Sequence, residues 1–319
     1  MAKRSSLKIL RTCTALLFIT LLSSCEYVDF YDQYERADVD VAYEWDNVVD
    51  KPKAMRLALY PADVLTSDKV RQGYMLYDLY SDGRTISLPV GKYHVSTWNT
   101  DVTHTYFQNL SNRDKLSVTT TPLKTEKDER PPVIDSIFGH KTILYSPEYL
   151  VRKNMELFTV EADKEHQRLV LRPDSMLSLI DVEIKGLKSL ALATKVSAAI
   201  GVIPGTGYIA DTTKTDNPAV WMFDCSADAS KCQINGSFFA FDLNKSTCGV
   251  PHNLCVFIWT PSGNIYIPLK ISIPKEQLDD RFIHIKLQVN IDLKDYVTKQ
   301  DGFEVEVDDW TDVEIDIPM

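Results

Sequence analysis

Apolar residues recur at every second position through most of this chain. In "DVDVAYEWD" (38–46), Val39, Val41, Tyr43 and Trp45 fall on one face, and Asp38, Asp40, Glu44 and Asp46 on the other. "FIHIKLQVNI" (282–291) sets Ile283, Ile285, Leu287, Val289 and Ile291 against His284, Lys286, Gln288 and Asn290. "LIDVEIK", "NIYIPLKISI" and "GFEVEVDDWTDVEIDI" repeat the pattern. Successive side chains of a strand point to opposite faces, so this period predicts antiparallel strands with one face on a core and one in water. A helical period is scarce, and residues 148–157 and 187–194 are the only helix candidates. Short strands separated by turn residues predict an all-β protein built of β-sandwiches.

Proline positions refine this reading. "RTISLPVGKYHVSTWN" predicts Ile86 and Leu88 facing inward, a turn at Pro89–Gly91, and a return with Tyr93, Val95 and Thr97 on the inner face. Proline has no N–H to give a ladder, so Pro89 belongs at a strand end, and Pro268 inside "IYIPLKI" marks an edge strand. The polar stretch at 122–141, "PLKTEKDERPPVIDSIFGHK", predicts a long exposed loop. A chain of 319 residues suits two domains, placed at 38–155 and 156–319.

The first 24 residues stand apart. Lys3, Arg4, Lys8 and Arg11 form a basic flank, and Ala15 to Leu22 a short apolar run. A spanning helix needs roughly 20 apolar residues, so this run reads as a signal peptide. Leu22-Ser23-Ser24-Cys25 has the form of a bacterial lipobox, in which the cysteine thiol takes a diacylglycerol and becomes the new N-terminus. Cys25 is therefore the expected lipid attachment site, and residues 25–37 a lipidated tether. Several acyl chains hold a protein to a membrane without spanning it. Removing residues 1–24 takes away four basic residues and shifts the net charge from −10 to −14. Such acidity argues against nucleic acid and against electrostatic adhesion to anionic lipid.

Residues with obvious chemistry are sparse. The sequence has no G-x-S-x-G, H-E-x-x-H, P-loop or G-x-G-x-x-G. Its six histidines are scattered, and pairs such as Asp279-Asp280 and Asp308-Asp309 read as surface unless folding gathers them. No cofactor and no metal is implied. Trp45, Trp98 and Trp259 lie in strand patterns that favour core packing, while Trp310 stays open as an exposed aromatic. Four cysteines remain in the mature chain, as Cys225-x6-Cys232 and Cys248-x6-Cys255. Six intervening residues fit zinc poorly, and an extracytoplasmic site favours disulfides. Pairs 225–232 and 248–255 are the simplest of three connectivities, with His252 leaving a metal reading open.

The lipobox, the acidic aromatic tether, "YEWD", "MRLALYP" and "ISLPVGKYHVSTWNTD" follow in an order that resembles the Bacteroidales fimbrillin-like lipoproteins, the group with FimB/Mfa-type fimbrial anchor subunits. "LSLIDVEIKGL", "VSAAIGVIPGTGY", "INGSFFAFDL", "LCVFIWTPSGNIYIPLKISI" and the closing "GFEVEVDDWTDVEIDI" are similar to their second domain. The resemblance implies two tandem transthyretin-like β-sandwiches at the outer-membrane surface, acting without catalysis as a fimbrial anchor or accessory subunit. It implies fimbrial subunits as partners, joined by β-strand addition, in which main-chain hydrogen bonds give affinity and alternate side chains give fit. Pilins of the group lose a leading segment to an Arg- or Lys-directed protease, for which Arg36, Lys51, Lys53 and Arg56 are the candidate points here. Glu26, Asp29, Asp32 and Glu35 fit a surface-export signal or a solvated spacer. Asp135-Ser136, Asp174-Ser175 and Asp211-Thr212 match a short O-glycosylation pattern of the same phylum. A surface lipoprotein that binds glycans through exposed aromatics is the rival reading.

Overall fold

The computed structural model describes residues 35–62, 74–123, 133–139, 141–162, 164, 166–211, 215–241, 251–273, 282–297 and 303–304. Cys25, Cys248, Trp310 and both Asp-Asp pairs lie outside these residues.

The period of two becomes two sandwiches. In the first, β1 (Arg36–Tyr43) lies between β4 (Arg84–Pro89) and β10 (Gln167–Leu171). A second sheet covers it, ordered β11 (Asp174–Ser175), β9 (Val151–Val160), β5 (Gly91–Asn99), β2 (Ala54–Pro61) and β3 (Met75–Tyr80). Val39, Val41 and Tyr43 of β1 meet Leu57, Leu59, Ile86, Leu88, Tyr93, Val95, Leu169 and Leu171 in one core. Burying each such aliphatic side chain contributes about 1.5–3 kcal/mol. The Pro89–Gly91 turn carries the chain from one sheet to the other, and Tyr93 OH donates to Pro89 O at 2.7 Å across it. Gly83 has φ +78°, and a Cβ there would lie 2.0 Å from Val41 O, so only glycine lets this turn approach β1.

β2 is buried on both faces, which explains its unbroken run "LALY". Leu57 and Leu59 enter the first core, while Ala58 and Tyr60 join Trp98 in the second. That second core is enclosed by one long sheet ordered β18 (Phe282–Asp292), β12 (Leu177–Lys188), β15 (Gln233–Phe241), β14 (Thr215–Asp228), β13 (Lys195–Tyr208), β16 (Pro251–Thr260), β17 (Gly263–Ser272) and β19 (Phe303–Glu304). The chain between β5 and β9 also belongs to it. β7 (Ser117–Thr120) pairs with β6 (Thr105–Gln108) and β13, and β8 (Ile143–Tyr145) pairs with β14. Helix α1 (Ile134–Phe138) closes a smaller core on the outer face, with Ile134 and Phe138 over Ala199, Val220, Cys255 and Phe257.

Several expectations change. Residues 148–157 are mostly β9, whose apolar spacing is irregular because a register shift between Tyr93 and Val95 interrupts its pairing with β5. Residues 187–194 hold a single 3-10 turn, Leu190–Leu192. The 122–141 loop contains α1, whose apolar residues need the outer face of the second sheet to bury them. Residue 155 falls inside β9, and the chain enters the second sandwich after Asn99, returns to the first at Val151 and leaves it again between Ser175 and Leu177. Pairing is antiparallel except at β1–β10, β12–β18, β14–β8 and β17–β19. Pro268 does sit where the outer side of β17 has no partner among the described residues.

Candidate functional site

The first strand is the feature with the clearest capacity for function. β1 is the first described strand and the middle one of its sheet. It pairs parallel with β10, Val39–Tyr43 against Gln167–Leu171, and antiparallel with β4, Arg36–Val41 against Pro89–Arg84. Val39, Val41 and Tyr43 fill the core side of this slot. The other side carries Asp38 and Asp40, and Asp40 accepts from the Thr85 hydroxyl. Tyr43 OH lies 3.0 Å from Thr97 Oγ1, and burial pushes its hydroxyl up to about 12, partly opposed by that bond. Removing β1 would leave a groove with apolar sockets at every second position and two unpaired backbone edges. A strand of matching alternation fills such a groove.

The four candidate cleavage residues occupy different settings. Arg36 opens β1, and its guanidinium donates to Ser87 O at 2.6 Å and Ser87 Oγ at 3.3 Å. Cutting there trims the tether and leaves β1 in place. Arg56 lies within β2, hydrogen-bonded on both sides, and grips Asp78 with two bonds at 2.6 and 2.9 Å. That contact holds the Asp78 carboxyl below the usual carboxylate range. A protease needs an unpaired extended chain, which β2 does not offer. Lys51 and Lys53 instead lie in the loop between β1 and β2. Lys51 pairs with Asp82, and Lys53 N–H donates to Asp101 Oδ2 at 2.7 Å. Pro52 follows Lys51, and its fixed φ and missing N–H disfavour a cut before it. The bond after Lys53 has no proline but leads into Ala54, the first residue of β2, whose carbonyl accepts from Thr100 N–H at 3.0 Å.

The expected 225–232 pairing is not seen, with Cys225 and Cys232 both free, and the 248–255 pairing lies outside the described residues through Cys248. Cys225 stands inside β14 opposite Gly236, and Cys232 precedes β15. Four residues of strand separate Cys232 from Gly236, roughly 13 Å at the rise of a strand. A disulfide spans at most about 7 Å between Cα atoms, so 225–232 does not form. Cys255 lies opposite Ala199 in the outer-face core, while Cys225 packs on the main core across the sheet. Burial also pushes the Cys225 thiol up to about 12, which keeps it protonated and unreactive. No group of three or more His, Cys, Asp or Glu side chains suited to a metal occurs among the described residues.

A second feature went unnoticed in the sequence. The solvent face of β18, β12, β15 and β14 forms an open concavity of about 660 Å³ lined by Asp181, Glu183, Asp224, Ser226, Asn235 and His284. His284 Nε2 lies 3.6 Å from Glu183 Oε2, and burial pushes the Asp181 carboxyl up, opposed by His284. The outward positions of "LIDVEIK" and "FIHIK" held these residues in plain view, but only the β12–β18 register brings them together. Aromatics do not gather in it. Trp98 is fully buried, Trp45 donates to Ser81 O, and the exposed Tyr80, Tyr106 and Phe282 lie on separate strands.

A family model described as a domain of unknown function, DUF5119, matches residues 24–224. No curated protein matches the chain. Among solved structures, a candidate adhesin from Bacteroides ovatus superposes with a TM-score of 0.61 at 15% identity, covering 89% of this chain and 97% of that one. A candidate polysaccharide-binding protein from Bacteroides thetaiotaomicron gives 0.49 at 12% identity, over 79% and 92%. The fimbrial anchor protein Mfa2 of Porphyromonas gingivalis gives 0.48 at 11% identity, over 79% and 90%. The two tandem transthyretin-like sandwiches are thus a fold shared with the Bacteroides ovatus protein.

Proposed function

The chain belongs to the DUF5119 family, and from that premise we propose that it is a non-enzymatic surface lipoprotein, a fimbrial anchor or accessory subunit that joins its partners by β-strand addition. The observation that carries this reading is the slot of β1. An N-terminal strand sits between two partners, filled by Val39, Val41 and Tyr43, and is followed by a loop with Lys51 and Lys53. A cut after Lys53 separates β1 from the body and leaves Ala54, the first residue of β2, as the new N-terminus. The fold shared with a candidate adhesin supports a role in adhesion. The lipidated N-terminus at the outer membrane rests on the lipobox Leu22-Ser23-Ser24-Cys25.

An anchor and a polymerising subunit differ in what happens at Lys53. An anchor keeps β1, because β1 connects the body to its lipid. A polymerising subunit gives β1 up and takes a neighbour's strand in return. Digestion of the soluble chain 26–319 with a protease that cuts after Lys or Arg tests the geometry. The expected body fragment begins at Ala54, and Lys53→Ala abolishes it. Asp101→Ala, which frees the Lys53 N–H, increases its yield several-fold. A digest that never yields an Ala54 start, under conditions that cut elsewhere, overturns the accessible-loop reading.

A further inference from the structure

The two ends of β1 are loaded differently if the protein is held by lipid at Cys25 and by a partner through its second sandwich; this inference rests on that reading. The tether enters at Glu35, whose carbonyl accepts from Val90 N–H at 2.8 Å, with Arg36 opposite Pro89. The connections to the second sandwich leave from the opposite end of the first. β5 ends at Asn99, and Asn99 Oδ1 accepts from Val151 N–H at the start of β9 at 2.9 Å. β10 ends at Leu171, whose carbonyl accepts from Glu44 N–H at 2.9 Å, just past the end of β1. Tyr43 OH reaches Thr97 Oγ1, and Arg172 Nε lies 2.5 Å from Glu44 Oε2. Arg152 and Asn154 of β9 also donate to the carbonyls of Tyr208 and Ile209 in the second sandwich.

We propose that β1 is a tension clamp. Pulling between the tether and the second sandwich draws β1 and β10 in opposite directions along their common axis, because they run parallel and are held at opposite ends. Ladder hydrogen bonds lie across the strands, so all of them resist this sliding together. The β1–β4 ladder adds to the resistance along Arg36–Val41. A pull from two points at the tether end breaks the same bonds one pair at a time. Forced release follows the barrier to unfolding, not the equilibrium stability, so the clamp is strong in one direction and weak in the other. Force alone therefore leaves β1 seated, and releasing it takes a cut in the 44–53 loop.

The test is single-molecule pulling on the soluble chain 26–319 carrying Cys232→Ser and Cys248→Ser, with one handle on its N-terminus. The second handle is attached through Ser262→Cys, in the exposed turn of the second sandwich, or through Lys92→Cys, exposed at the tether end of the first. At equal loading rate, the event that releases β1 is expected at a force at least twofold higher with the handle at 262 than at 92. A second sandwich that yields earlier, but above the force measured from 92, has the same meaning. Equal forces, or a lower force from 262, overturn the clamp. Acyl labelling of the native protein separates the two ideas. Absent label with a twofold force ratio removes the lipid reading and leaves the clamp standing; label present with equal forces does the reverse.

Discussion

Val41→Asp is expected to unseat the first strand. Val41 is 3% exposed and packs into the core of the first sandwich. A carboxylate there sits among apolar side chains, with Arg84 opposite it on β4 exposed at the strand end, and burying it costs about 4 kcal/mol, the range in which single substitutions abolish folding of a region. The first sandwich then loses its cooperative transition, and the 44–53 loop becomes freely cut by protease. The second sandwich keeps its own core of Ile180, Val182, Trp221, Val256 and Ile285, and should still unfold as a unit. Asp40→Ala is the control. Asp40 is exposed on the same strand and loses only its contact with the Thr85 hydroxyl, so its cost stays under about 1 kcal/mol. Denaturant titration followed by tyrosine and tryptophan fluorescence distinguishes the two variants. A Val41→Asp protein as stable as the parent contradicts the packing of β1.

Cys25→Ala is expected to have the larger effect on location. Each buried CH₂ of an acyl chain contributes about 0.8 kcal/mol to membrane binding, so losing every chain at once shifts the partition by many decades. The variant should incorporate no labelled palmitate, leave the detergent phase on phase separation, and disappear from the cell surface. The acidic mature chain, with its net charge of −14, has no electrostatic attraction to anionic headgroups that could replace the lipid. Surface display of Cys25→Ala at the level of the parent would remove the lipid tether from the account.

How much of this was legible in the sequence depends on the distance over which residues meet. The inner face of β1 is read directly from "DVDVAYEWD", since alternation is a local property. Its neighbours are not, because Val41 pairs with Arg84 on one side and with Leu169 on the other. The parallel pairing with β10, on which the clamp depends, leaves no mark within either strand. β9 misleads for a related reason, since its register shift against β5 disturbs the alternation that would identify it. Cysteine spacing also misleads. Two cysteines with six residues between them suggest a stapled loop, but Cys225 lies within β14, and strand rise carries Cys232 out of reach. Lys53 was visible as a basic residue, and only its place in a loop beside Asp101 separates it from Arg56 on a paired strand.

The slot of β1 is the centre of this account, and native surface material tests it most directly. Sheared from cells and run unheated on a denaturing gel, strand-exchanged assemblies hold together through a full ladder of backbone bonds and separate on heating. The account predicts this chain within, or at the base of, a high-mass ladder that collapses to monomer when boiled. A chain that runs only as a monomer without heating, still acylated and confined to the membrane fraction, contradicts β-strand addition.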